Sequence, residues 1–261
     1  GEEPKLGRPR PYRDYIAWLI RQDLEAAEGF WRRALAGFSA PTSLGVDRGG
    51  SAGTYGSRTA VLPADTSEGL RALSRQHQLT LNTLLQGAWA LLLHRHGGAE
   101  DVVFGATVSG RPATLPGVES IVGVFINSLP VRVRAAEESL LLPWLEELQA
   151  WQVEQREHEH SPLVRVREWS PLAHDLPLFE TLLIFENYPV DVALDAVAGL
   201  GVEDLRFFER THYPLTATVA PQEGLQLSLA HDRARFEDAA AARLLRDFAA
   251  LLEGFAARPQ G

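Results

Sequence analysis

The chain has 261 residues, a net charge of −9 and a hydrophobic fraction of 45%, with no Cys and no Met. An acidic chain whose basic residues are almost all Arg, without clusters, excludes a phosphate-binding nucleic-acid protein; the lack of Cys excludes disulfides, thiolate metal sites and a Cys nucleophile. No apolar run has the length of a membrane span and no signal-peptide pattern is present, so a soluble cytoplasmic protein with an ordinary globular core is expected.

Residues 1–11, with Pro4, Pro9 and Pro11 among charges, read as an extended leader, and residues 12–261 as one domain without internal repeat or linker. Tyr12, Tyr15, Ile16, Leu19, Ala27, Phe30, Trp31, Ala34 and Leu35 recur at helical spacing and predict one long amphipathic helix ending near Gly37. The Gly- and Ser-rich stretch 43–56 reads as a mobile surface loop, and 55–62 alternates as an edge strand. Asp65 and Glu68 suggest a capping box for a helix to about His77. Residues 80–94 are apolar on nearly every face, which predicts a buried helix that stops at Gly97 and Gly98.

A strand over 102–108 then runs into the turn Ser109-Gly110-Arg111-Pro112, where Gly110 gives backbone freedom and Pro112 fixes the following residue. Next comes Ile121-Val122-Gly123-Val124-Phe125-Ile126-Asn127-Ser128-Leu129-Pro130-Val131-Arg132. Leu129, Val131 and Val133 alternate with Pro130, Arg132 and Arg134 as in a half-buried strand. Asn127 and Ser128 interrupt an apolar run, and buried polar groups require partners. Two explanations stand open: a satisfied core amide, or the polar floor of a site. A helix over 140–159 carries Leu141, Trp144, Leu145, Leu148, Trp151 and Gln155 on one side. Strands follow at 178–185, 202–208, 215–219 and 225–229, and a closing helix has the stripe Leu244, Phe248, Leu251, Leu252 and Phe255. This order predicts an α/β (α+β) domain with one mixed, mostly antiparallel sheet packed with helices.

Among chemical constellations, Glu157-His158-Glu159-His160 suggests a metal, but two His two residues apart on a helix diverge and no third ligand has a recognisable spacing, so no metal is expected. No nucleophile elbow supports a Ser-His-Asp triad, and Gly49, Gly50, Gly53 and Gly56 match no phosphate loop. Asp14 is explained by an early helical position, where the dipole favours a carboxylate.

Taken together, several stretches resemble, in the family's order, the conserved motifs of condensation domains of non-ribosomal peptide synthetases. Tyr12-Arg13-Asp14-Tyr15-Ile16-Ala17-Trp18 is similar to the fourth motif. Ser109-Gly110-Arg111-Pro112 matches the turn ahead of the fifth, and 121–132 resembles the fifth itself, with Ser128 in place of the usual Thr. His160-Ser161-Pro162-Leu163 is a loose counterpart of the sixth. Pro177-Leu178-Phe179-Glu180-Thr181 and Phe185-Glu186-Asn187-Tyr188-Pro189 resemble the seventh. The family's His-His-x-x-x-Asp-Gly signature, which lies upstream of the fourth motif, is absent.

The resemblance implies the C-terminal half of such a domain: one lobe of a chloramphenicol acetyltransferase-like fold, in which two lobes form a V around a channel. It implies that Ser109, Gly110, Arg111, Gly123, Phe125, Asn127, Ser128 and Leu129 form or support the channel floor, with Asn127 facing substrate or pantetheine. Tyr12, Asp14, Tyr15 and Trp18 would be helix or lobe-contact residues, with weaker roles for Ser161, Pro162, Asn187 and Tyr188. A segment between Tyr188 and Tyr213 would cross to the other lobe. The implied chemistry joins two thioesters tethered by phosphopantetheine to carrier domains; no cofactor binds directly, and no catalytic residue lies in this half. Implied partners are the N-terminal half, carrier domains and a downstream adenylation domain, with self-association through the uncovered lobe face. A non-catalytic docking platform, or half of an epimerisation, heterocyclisation or starter-type relative, are the alternatives.

Overall fold

A computed structural model describes residues 9–50, 53–135, 140–186, 211–221 and 224–258. In chain order the elements are α1 (Arg13–Leu19), α2 (Leu24–Ala34), β1 (Tyr55–Val61), α3 (Ala64–Gln76), α4 (Leu81–Gly97), β2 (Asp101–Val108), β3 (Asn127–Arg134), α5 (Leu141–Arg156), α6 (Leu163–Trp169), β4 (Thr181–Phe185), β5 (Leu215–Pro221), β6 (Leu225–Asp232) and α7 (Asp238–Ala257). Among the described residues the strands form one six-stranded sheet in the order β1-β6-β5-β4-β2-β3. The β4 pairings with β2 and with β5 are parallel and the other three are antiparallel, so the sheet is mixed and mostly antiparallel, as expected.

The sheet is covered on both faces. Leu84, Trp89, Phe104, Leu183, Leu227 and Phe248 belong to the large core under α3, α4, α5 and α7. Phe30, Trp31, Val103, Val166, Phe179 and Leu182 belong to a smaller core under α2 and α6. Period-two alternation sends Phe104 and Val103 to opposite cores, so β2 reads as an unbroken apolar run because both of its faces are dry. At Gly105 a Cβ would lie 2.2 Å from the Phe179 ring, so that ring occupies the space a side chain would need.

Local chemistry sets the element ends. Thr80 accepts from the Thr83 amide at 3.0 Å and starts α4; Gly98, at φ +74°, ends it in the left-handed conformation. β1 lies at the sheet edge, as its alternation indicates. The expected long first helix is two helices. Asp23 accepts from the amides of Glu25 and Ala26 at 3.0 and 2.9 Å, so it starts α2 afresh and leaves Ile20 exposed. The capping box at Asp65 does not form: Pro63 precedes α3 with no side-chain cap, and Asp65 lies in its first turn. The 43–56 stretch is anchored where it is described. Leu44 is buried, Asp47 pairs with Arg235, and the Gly53 amide donates to the Asp232 carboxylate at 3.0 Å. The helix expected to reach residue 159 ends at Arg156 and gives way to a turn and to α6, which periodicity does not predict. β4 starts at Thr181, because Leu178 and Phe179 plug the smaller core. The strand expected at 202–208 lies outside the described residues.

Arg132 ties β3 to its surroundings. It grips Asp101 with two hydrogen bonds at 2.8 and 2.6 Å and donates to the carbonyls of Ala34 and Ala36 at the end of α2. Only 9% of its side chain is exposed, so the fork is largely shielded from competing water. Arg132→Met leaves the Asp101 carboxylate and two carbonyls without their donor. It is expected to lower unfolding stability by about 2 kcal/mol, read as a lower urea midpoint at unchanged slope; an unchanged midpoint contradicts this role.

Candidate functional site

The end of β2, the loop into β3 and the turn after α5 form one connected unit. Gly110 has φ +62°, and a Cβ there would stand 1.8 Å from the Phe125 carbonyl oxygen. Only glycine fits this approach. Arg111 reaches across the loop and donates to Val118 O at 2.6 Å and Ile121 O at 3.2 Å, while its guanidinium lies 4.1 Å above the Phe125 ring. The loop is therefore stapled at both ends by one side chain.

From α1, the Tyr12 hydroxyl donates to the Val124 carbonyl, and the Tyr12 ring fills the space a Cβ on Gly123 would need. Tyr15 packs on Phe125 with centroids 4.4 Å apart. Asp14 accepts from Arg10 at 2.7 Å, and Arg10 also donates to the Pro116 carbonyl, so Asp14 holds a brace on the same loop. Ile121 and Phe125 point inward; Val122, Val124 and Ile126 point outward with 78%, 78% and 56% of their surface exposed. The loop is thus an anchored ridge with an apolar crest.

Asn127 closes the unit. Its amide nitrogen donates to Glu159 O at 3.0 Å and Ser161 O at 2.8 Å, and its Oδ1 accepts from the Ser128 amide at 2.9 Å. Both N–H groups are therefore engaged by the protein, and Asn127 does not line the neighbouring cleft. The resemblance places it facing the channel; in this chain its amide clamps the 157–161 turn to β3, where two carbonyls of that turn converge on the strand start. Ser161, fully buried, accepts from Trp31 Nε1 at 2.9 Å and donates to His158 O at 2.7 Å. Pro162 precedes α6, and Leu129 lies in the smaller core. Asn187, Tyr188 and most of the segment expected to cross lobes lie outside the described residues.

Beside this unit opens a cleft of about 1000 Å³. Its lining includes Trp18, Asn82 at the start of α4, Ser109, Arg111, Glu159 and His160. Trp18 donates to Thr114 Oγ1 at 3.2 Å and stands edge-on to His160, with ring centroids 6.0 Å apart. Asn82, Glu159 and His160 are not expected in a site from the sequence. Glu159 stands out there only as a metal ligand and His160 only as that and as the start of a loose motif, and nothing in the sequence places the start of α4 next to the end of α5. Among the described residues no group of three or more His, Asp and Glu is placed to hold a metal.

Burial raises the Glu159 carboxyl above the usual range, opposed by Arg156. Burial lowers His158 and His160 below 6.5, with His158 adding to the effect on His160.

Two outcomes are expected. Asn127→Ala should leave the fold intact but raise amide exchange at residues 158–163 by about tenfold, since it frees the turn locally; unchanged exchange there contradicts the clamp. The two imidazoles bind fewer protons folded than unfolded, so stability should fall as pH drops below 6.5 toward their lowered folded values. Glu159 works the other way at lower pH, its raised carboxyl favouring the folded state as it protonates. Urea midpoints at neutral and mildly acidic pH should converge in a His158→Gln/His160→Gln variant; an undiminished pH dependence there contradicts the assignment.

A family model described as "Condensation domain" matches residues 1–261. A linear gramicidin synthase of Brevibacillus parabrevis is 44% identical over 273 residues, covering 100% of this chain and 5% of that protein. Chondramide synthase cmdD of Chondromyces crocatus is 44% identical over 99% of this chain and 7% of its own length. Among solved structures, the X-domain from teicoplanin biosynthesis matches with a TM-score of 0.77 at 23% identity, over 96% of this chain and 60% of that one. The first condensation domain of the calcium-dependent antibiotic synthetase, in complex with a substrate analogue, matches at 0.73 and 18% identity, over 94% of this chain and 56% of that one. The chain thus spans a small part of the synthetases and rather more than half of these two structures. It belongs to the condensation-domain family of non-ribosomal peptide synthetases and has the chloramphenicol acetyltransferase-like fold of that family.

Proposed function

We propose that this chain is the C-terminal lobe of a peptide-bond-forming condensation domain, contributing one wall and the floor of its channel. The observation that carries this is the anchored 121–126 ridge beside the 1000 Å³ cleft, in a family member whose sequence lacks the His-His-x-x-x-Asp-Gly signature. Such a ridge buries its anchors while offering Val122, Val124 and Ile126 to a facing surface, and exposed apolar crests of this kind mark interfaces.

In the proposed reaction the amine of one carrier-bound aminoacyl thioester attacks the thioester carbon of the other. A C–N bond forms, the C–S bond breaks, and the nitrogen's proton passes through a base in the other lobe to the departing thiol. This lobe holds the tethered arms in line, and proximity supplies much of the rate. The arms are phosphopantetheine groups on carrier domains, and no cofactor binds directly. The partners are the N-terminal lobe, carrier domains and an adenylation domain, in a soluble, cytoplasmic assembly. Without the other lobe, the apolar crest favours self-association.

The chain alone, given two carrier-bound thioesters, is expected to form no amide, and addition of the N-terminal lobe should restore product detectable by mass spectrometry. Product from the chain alone contradicts the lobe assignment. Carrier binding with no product from the combined lobes favours a docking platform instead.

A further inference from the structure

The lining of the cleft contains a carboxylate with no hydrogen bond or ion pair among the described residues. Glu159 lines the cleft and is partly buried, yet its side chain makes no hydrogen bond or ion pair with any described residue. Its backbone is anchored: Asn127 holds Glu159 O and Ser161 O, and Ser161 is held in turn by Trp31. The surrounding charges offset it only in part, through Arg156. Arg111, which also lines the cleft, is committed to Val118 O, Ile121 O and the Phe125 ring. Arg156, also on the rim, forms no ion pair with any described residue, and Glu157 adds negative charge. His160 stands next to Glu159 with Nε2 buried and unpartnered, an environment that disfavours the imidazolium.

A desolvated carboxylate without a partner is costly, and proteins retain such groups where a ligand supplies the opposite charge. We infer that Glu159 is the subsite for the α-ammonium group of the acceptor aminoacyl thioester. This rests on the condensation reading of the cleft and adds to it which substrate lies at Glu159 and what part of it is recognised. The donor substrate, whose reacting carbon is a thioester carbonyl, offers no obligatory cation. The acceptor is the one substrate whose reacting atom is a protonated amine at neutral pH. A carboxylate carried on an anchored backbone would orient that nitrogen before it loses its proton. Glu159 is therefore a binding and positioning group; it does not replace the base of the other lobe. The same placement predicts selection against N-acylated acceptors, which leave the carboxylate unpaired.

The test measures binding to the purified chain, with the N-terminal lobe present, by titration calorimetry. The probes are hydrolysis-resistant alanyl-pantetheine amide, its N-acetyl counterpart, and an N-acetyl-ornithyl version whose only amine is on the side chain. The free α-amine probe should bind about tenfold more tightly than the N-acetyl one. Glu159→Gln should remove that preference, Glu159→Asp should keep part of it, and Glu154→Gln, an exposed carboxylate on α5 outside the cleft, should leave it intact. Equal binding of the two alanyl probes, or a preference that survives Glu159→Gln, overturns the inference while leaving the cleft as a pantetheine channel. Preference for the ornithyl probe overturns the assignment to the α-ammonium. If no probe binds, the condensation reading of the cleft fails and the inference falls with it. In the intact domain, Glu159→Gln should raise the KM for the acceptor carrier substrate with the donor KM unchanged.

Discussion

The rest of the site depends on a contact with no room in it. The Gly110 backbone lies against the Phe125 carbonyl, so closely that any side chain at 110 would overlap it. That approach sets where Phe125 sits. Phe125 in turn receives the Arg111 guanidinium on one side and Tyr15 on another. Once the root of the loop is fixed, the outward direction of Val122, Val124 and Ile126 follows from alternation alone, and Asn127 emerges where it can reach the turn after α5. A single steric constraint thus fixes the ridge, the strand start and the turn that closes the cleft.

Rigid elements surround this constraint. β2 is dry on both faces and pairs with β3 and β4. A strand so placed moves little, and the turn at its end inherits that rigidity. On the far side, α5 is locked into the large core by Trp144, Leu145 and Leu148. Its C-terminal turn is then held by the amide of Asn127 and by the pair Trp31–Ser161. Each of these bonds contributes about 1 kcal/mol net, but leaving any one unmade in a dry site costs more. Positional precision here comes less from the strength of any contact than from the cost of losing one.

Much of this is legible in the sequence, and the parts that are not share a cause. The buried α4, the edge character of β1, the stripe on α7 and the glycine turn at 110 are local signals, carried by neighbours within a turn or a strand. Gly123 and Arg111 stand out by resemblance, but their physical reasons, the Tyr12 ring and two loop carbonyls, appear only in three dimensions. The break at Asp23 escapes periodicity because the apolar spacing continues across it, while one carboxylate caps a new helix. The role of Asn127 is hidden for a different reason. Its partners are backbone carbonyls of residues 159 and 161, and a carbonyl leaves no trace in a sequence. Glu159 is hidden likewise: next to two His it resembles a failed metal site, and only the fold shows that it lines a cleft without a hydrogen-bond or ion-pair partner among the described residues.

Anchored in this way, the 121–126 ridge is expected to be preorganised by the chain itself. Backbone ¹⁵N relaxation on the isolated chain tests this most directly. Order parameters for residues 121–126 are expected near those of the flanking strands, about 0.85. Values below about 0.6, with β2 and β3 still rigid, would show a loop that becomes ordered only on assembly and would contradict preorganisation.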